Sequence, residues 1–233
     1  MQWFKHTLLA GLLLSLAPLS EAMAAAAVVT HLSGTLSVEK AGGGIKLLSQ
    51  NSEVEQGDTL TTEKGAYARL KFTDGGEVTL RPGTRLKIDS YAYDETAPAG
   101  DSFVFSLLKG GLRTVTGLVG KRGNQNAYRL NTATATIGIR GTRYGALSCN
   151  GDCAGLANGL YLDVVEGIIN AGNSAGSLDV SASQFGYVES FNKVPILLPG
   201  DPGNLGFETE TPQFEAGSDT PPPPAAGCAP GGS

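Results

Sequence analysis

The sequence predicts an all-β domain: an antiparallel β-sandwich or jelly-roll-like fold of many short strands joined by glycine-rich turns. Three observations carry this prediction. Apolar and polar residues alternate from Val28 onward. Gly, Asn, Asp and Ser break the chain at short intervals. Beyond the first two dozen residues, no ten-residue segment shows an apolar stripe of helical period. Glycine supplies 33 of 233 residues, twice the ordinary share of about 7%, as a chain that turns often requires.

The elements follow in order. Lys5 and His6 precede an apolar run from Leu8 to Ala17, and the small residues of "AMAAAA" follow. This is the pattern of a cleavable signal peptide, residues 1–26, with cleavage expected after Ala24 or Ala26. The run is well short of the roughly twenty residues that a membrane-spanning helix needs. No lipid-attachment motif and no second long apolar segment follow, so the mature chain is expected to lack a transmembrane segment and to be periplasmic or secreted. Residues 27–215 then form one β domain. Residues 216–233, rich in Pro and Gly, have the composition of a disordered tail.

Within the domain the alternation is clearest in "ARLKF", where Ala68, Leu70 and Phe72 share one face and Arg69 and Lys71 the other. "EVTLR" and "RLKID" repeat it, with Val78 and Leu80, then Leu86 and Ile88, facing in. Asp74-Gly75-Gly76 and Pro82-Gly83 separate the runs as turns. These read as successive strands of a meander with one wet face, which puts Arg69, Lys71, Arg81, Arg85 and Lys87 on one side of one sheet. The stretches "HLSGTLSVEK", "SFVFSLLKGGLRTVT", "YRLNTATATIGI", "GLYLDVVEGIINA" and "SLDVSASQFGYVE" continue the pattern.

Cys149 and Cys153 bracket Asn150-Gly151-Asp152, and Asn-Gly is a strong hairpin-turn dipeptide. An exported chain favours a disulfide between them, fixing a loop shape. Cys228 is left over in the tail, as an idle thiol or an intermolecular link. In "TATATIGIRGTRYG" the glycines interrupt a strand pattern, which marks a β-bulge at Gly138 or Gly141. Arg140 reads as a structural arginine, held by a carboxylate or by turn carbonyls, with a ligand-contact role as the second reading.

Three blocks, Gly57–Ile88, Leu130–Leu147 and Leu162–Val188, resemble the FecR domain in its usual order. The middle block is the most specific, with Thr132, Ala135, Gly138, Arg140, Gly141, Thr142 and Tyr144 matching the family pattern and Ala133 standing where proline is common. The resemblance implies an extracytoplasmic β domain. The namesake proteins relay a signal from an outer-membrane receptor to a cytoplasmic sigma factor through a membrane helix, and this chain shows no such helix.

The available side chains argue against most chemistry. Beyond the signal segment only His31 remains, so Ser-His-Asp and Cys-His sites and zinc ligation lack their usual histidine. No Walker loop, dinucleotide fingerprint or calcium loop is present, and "GKRG", residues 120–123, reads as a basic hairpin tip. No cofactor is expected. Glu166 is flanked by apolar residues and reads as an outward strand residue. A carboxylate-pair enzyme acting on envelope polysaccharide is the alternative, and a secreted structural protein a third reading.

Charge is unevenly placed. From Arg69 to Arg143 the formal charge is +6, and from Asp163 to Asp219 it is −8. Either the basic face meets an anionic partner, or the acidic C-terminal third packs over it. The expected function is a non-enzymatic binding or scaffold module at the cell envelope, in extracytoplasmic signalling. Its partner would be an envelope protein or an anionic glycan such as peptidoglycan, with no nucleic acid.

Overall fold

A computed structural model describes residues 25–122, 124, 126–203 and 205. The signal segment up to residue 24, the stretch 216–233 and Cys228 lie outside the described residues. In chain order the strands are β1 (Ala27–Ser33), β2 (Leu36–Glu39), β3 (Ile45–Leu48), β4 (Glu53–Val54), β5 (Thr59–Thr62), β6 (Tyr67–Phe72), β7 (Glu77–Leu80) and β8 (Arg85–Ala92). They continue with β9 (Ser102–Val115), β10 (Tyr128–Asn131), β11 (Thr136–Cys149), β12 (Gly159–Asn173), β13 (Gly176–Ser181), β14 (Phe185–Val188) and β15 (Ile196–Leu198). Among the described residues the helical content is a single 3-10 turn, Pro98–Gly100. The all-β class stands.

Three long strands, β9, β11 and β12, bend midway and so serve two layers. Layer I runs β3-β2-β5-β8-β9-β10-β11-β12-β13 and uses residues 102–109, 136–140 and 168–173 of the long strands. Layer II runs β4-β1-β6-β7-β9-β11-β12-β14-β15 and uses residues 110–115, 143–149 and 159–166. Every pairing is antiparallel except β9 with β10. Inward residues of both layers form one core. Across it the ring of Phe72 in layer II meets that of Phe103 in layer I with centroids 4.4 Å apart, and Tyr128 packs edge-on to Phe105.

The bends follow from backbone chemistry. Gly141 in β11 has φ +58° and Gly167 in β12 has φ +80°, the left-handed region that side chains resist. The β11–β12 register slips between Arg140 and Arg143 at the same level, so the bulge predicted for the glycine motif sits at Gly141. Gly138 has an ordinary strand conformation with open space beside it, and marks neither a bulge nor a close approach.

The meander reading needs correction. β6 and β7 pair, but β7 and β8 do not: they lie end to end along β9, β7 against residues 112–115 and β8 against 102–109. The Pro82-Gly83 turn carries the chain from layer II to layer I at the bend of β9. Buried Thr84 holds this corner, its hydroxyl donating to the Gly111 carbonyl at 2.7 Å and accepting from the Gly111 N–H at 3.0 Å. Arg69, Lys71 and Arg81 therefore face out from layer II, whereas Arg85 and Lys87 face out from layer I. Arg85 pairs there with Glu39 at 2.9 Å and Lys87 with Asp89 at 3.2 Å. A period-two pattern fixes which residues point outward but not which layer a strand joins.

Candidate binding face

The outer face of layer II is built in cross-strand rows. One row runs Arg69, Thr79, Arg113, Gly145, Asp163. The next runs Lys71, Glu77, Val115, Arg143. Small residues alternate with long ones in the first row, because Thr79 stands between two arginines and Gly145 carries no side chain at all. The result is a depression of 350 Å³ lined by Arg69, Arg113 and Arg143 with Glu77, Thr79 and Val165.

Three guanidiniums, from β6, β9 and β11, line it, with Lys71 on the neighbouring strand position of the next row. Lys71 and Glu77 form a loose exposed pair at 3.7 Å, of a kind worth about 0–1 kcal/mol. Arg143 is exposed and makes no hydrogen bond or ion pair with any described residue. Glu166 is its backbone partner across β11 and β12 and is also exposed, as the sequence suggested, without an ion pair between them. Arg113 and Arg143 were missed from the sequence. Their strands were legible, but the pairing that brings β9 and β11 beside β6 and β7 was not.

The third row, Arg81, Gly111, Leu147, Tyr161, Tyr187, is covered. The loop between β11 and β12 lies on it, tied by a Cys149–Cys153 disulfide with Cα atoms 5.4 Å apart. The disulfide is as expected, but the connection is a nine-residue loop rather than a tight Asn-Gly hairpin. The Tyr161 hydroxyl donates to the Ala157 carbonyl at 3.1 Å and that of Tyr187 to the Asn158 carbonyl, holding the loop down. Leu205 is buried against Leu147, Cys149 and Tyr161, and its carbonyl accepts a hydrogen bond from Arg81.

From Asp163 to Leu198 the acidic third builds β12 to β15, which extend the layers sideways. Over this span it does not pack on the basic face as a cover. Asp163 itself is buried within the layer II row.

The motif residues divide into two groups. Thr132 closes the β10–β11 turn, its hydroxyl accepting from the Ala135 N–H at 3.0 Å, with Ala133 exposed beside it. The N–H of Thr142 donates to the Thr116 hydroxyl at 2.8 Å, and its carbonyl accepts from the Thr116 N–H at 3.0 Å. Tyr144 is fully buried, and burial pushes its hydroxyl pKa well above the usual value, as it does for Tyr128. These positions are engaged within the fold. The Arg140 side chain is exposed, with no hydrogen bond or ion pair to any described residue. Asp179, which lines a shallow cavity together with Arg140, accepts a hydrogen bond from Asn170 at 2.7 Å.

Among the described residues no helix is long and apolar enough to cross a membrane, and no group of three His, Cys, Asp or Glu is placed to hold a metal.

Comparison with known proteins gives one family. The model of the FecR protein family matches residues 58–170, a span that includes β9, β11, all but the last three residues of β12, and every arginine of the depression. No curated protein matches the chain. Two crystal structures of a candidate anti-sigma factor from Parabacteroides distasonis ATCC 8503 are 14% identical to it, with TM-scores of 0.48 and 0.47. The alignments cover 62% of this chain, which spans 60% of that protein's length. A cell surface anchoring domain is 22% identical with a TM-score of 0.26, over 27% of this chain and 82% of that domain.

Proposed function

The chain carries a FecR domain over residues 58–170, and from that premise we propose that it is an exported, non-enzymatic binding module of the cell envelope, in extracytoplasmic signalling, that docks an anionic partner in the arginine depression of layer II. One observation carries this reading. Arg69 on β6, Arg113 on β9 and Arg143 on β11 line a single depression, and the Arg143 side chain makes no hydrogen bond or ion pair with any described residue. Guanidinium groups stay charged at every physiological pH and cannot shuttle protons, so they suit recognition of carboxylate or phosphate better than acid–base catalysis.

Retention on a resin of immobilised poly-glutamate, read at low salt and at about 0.5 M salt, where the screening length falls to a few ångströms, tests the reading. The full chain is retained at low salt and released at high salt. Arg69→Ser with Arg143→Ser abolishes retention, and Arg85→Ser with Lys87→Ser on the opposite layer leaves it. Equal loss in both pairs, or no retention of the unaltered chain, overturns it.

A further inference from the structure

Leu205 is the last residue that the structure describes. It lies buried on the outer face of layer II, and Arg81 binds its carbonyl. The depression begins on the adjacent cross-strand row, about 7 Å away along β7. Beyond Leu205 the sequence reads "GFETETPQFEAGSD", Gly206 to Asp219, with four carboxylates, two phenylalanines and no Lys or Arg. Extended, those fourteen residues reach about 46 Å, several times the distance required.

We propose that the segment Gly206–Asp219 is the intramolecular occupant of the arginine depression, so that the chain covers its own binding site and an external partner must displace it. This rests on the docking reading above. Charge complementarity and the fixed exit point argue for this occupant. Glu208 and Glu210 are the first acids after Leu205, and Arg69 and Arg113 stand one cross-strand row from Arg81, with Arg143 in the row beyond. Tethering gives a weakly binding segment an effective concentration of order millimolar, which lets a few exposed ion pairs hold it. A tethered acidic segment would also exclude weakly anionic polymers while yielding to a dense polyanion or a well-matched acidic protein surface, a selectivity that a permanently open depression lacks.

Arginine-selective footprinting with phenylglyoxal, read by mass spectrometry on the full chain, is the test. It compares the unaltered protein with a variant carrying Glu208→Gln, Glu210→Gln, Glu215→Gln and Asp219→Asn, and uses Arg140 as an internal reference away from the face. Modification of Arg143 should rise by about threefold or more in the variant, while Arg140 stays constant. The variant should also bind poly-glutamate more tightly than the unaltered chain. Equal Arg143 reactivity in the two proteins overturns the inference, whatever either one binds. A rise at Arg143 with no poly-glutamate retention in either protein upholds the inference and removes the docking reading instead.

Discussion

A Cβ added at Gly167 would stand 2.4 Å from the carbonyl oxygen of Gly141 and 2.9 Å from Cγ2 of Thr142. The two glycines thus face each other across the bulge where β11 and β12 change layer, and they are needed for different reasons. Gly141 is needed for its conformation alone, since a Cβ there meets nothing nearer than Lys121 Cγ at 3.6 Å. Gly167 is needed for conformation and for space. Gly141→Ala should therefore cost about 1 kcal/mol, the ordinary penalty for a left-handed non-glycine residue. Gly167→Ala should cost more, about 3 kcal/mol or beyond, because backbone must move. Urea melts of the two variants check the order. A smaller loss at Gly167 than at Gly141 would mean that the bend relaxes freely.

The hydroxyls of Tyr128 and Tyr144, 3.0 Å apart in the core, link β10 of layer I to β11 of layer II. Tyr128 has a second hydrogen bond with Thr114, whereas Tyr144 interacts only with Tyr128. Tyr128→Phe strands a buried hydroxyl and should cost about 1–3 kcal/mol. Tyr144→Phe should cost about 1 kcal/mol, and the double variant should recover part of the larger loss. The same burial sets a pH limit. Tyr91 is pushed up to about 12 by burial, and Tyr128 and Tyr144 are raised as well. The unfolded chain therefore gives up these protons first, near pH 10. Stability from this source is complete below about pH 10 and is lost as pH rises from there towards 12 and above. Tyrosinate absorbance should lag the exposed tyrosines until the fold opens. Smooth titration of all seven tyrosines with the fold intact would contradict this.

Strand identity was legible because alternation is local: Ala68, Leu70 and Phe72 are all buried as the pattern required. Layer membership was not, because it depends on where a strand bends. Arg85 and Lys87 read as neighbours of Arg81, yet two residues, Pro82 and Gly83, take the chain round the corner to the opposite layer. In the candidate site, Arg69, Lys71 and Arg81 were found from period alone. Arg113 and Arg143 join them through the pairings β7–β9 and β9–β11, whose partners lie tens of residues apart in sequence. The glycine motif pointed to the bend, while the side chain of Arg140 beside it is exposed and has no hydrogen bond or ion pair among the described residues.

The sheet discriminates between the two cleavage positions that the sequence offers. Ala26 and Ala27 are 2% and 0% exposed, and both ends of Ala26 are bonded: its N–H donates to the Val54 carbonyl at 2.8 Å, and its carbonyl accepts from the Thr73 N–H at 3.2 Å. Cleavage after Ala26 would remove both hydrogen bonds and place a charged ammonium on a fully buried residue, which is costly without a partner. Cleavage after Ala24 leaves the charge on half-buried Ala25 and keeps β1 whole. The sequence permits both sites, and the fold favours the first. N-terminal sequencing of exported protein should return Ala25. A chain built to start at Ala27 should be less stable by about 1–3 kcal/mol, measured by denaturant melts against one starting at Ala25. Recovery of Ala27 as the natural terminus, with unchanged stability, would show that β1 does not need Ala26 to hold its place against β4 and β6.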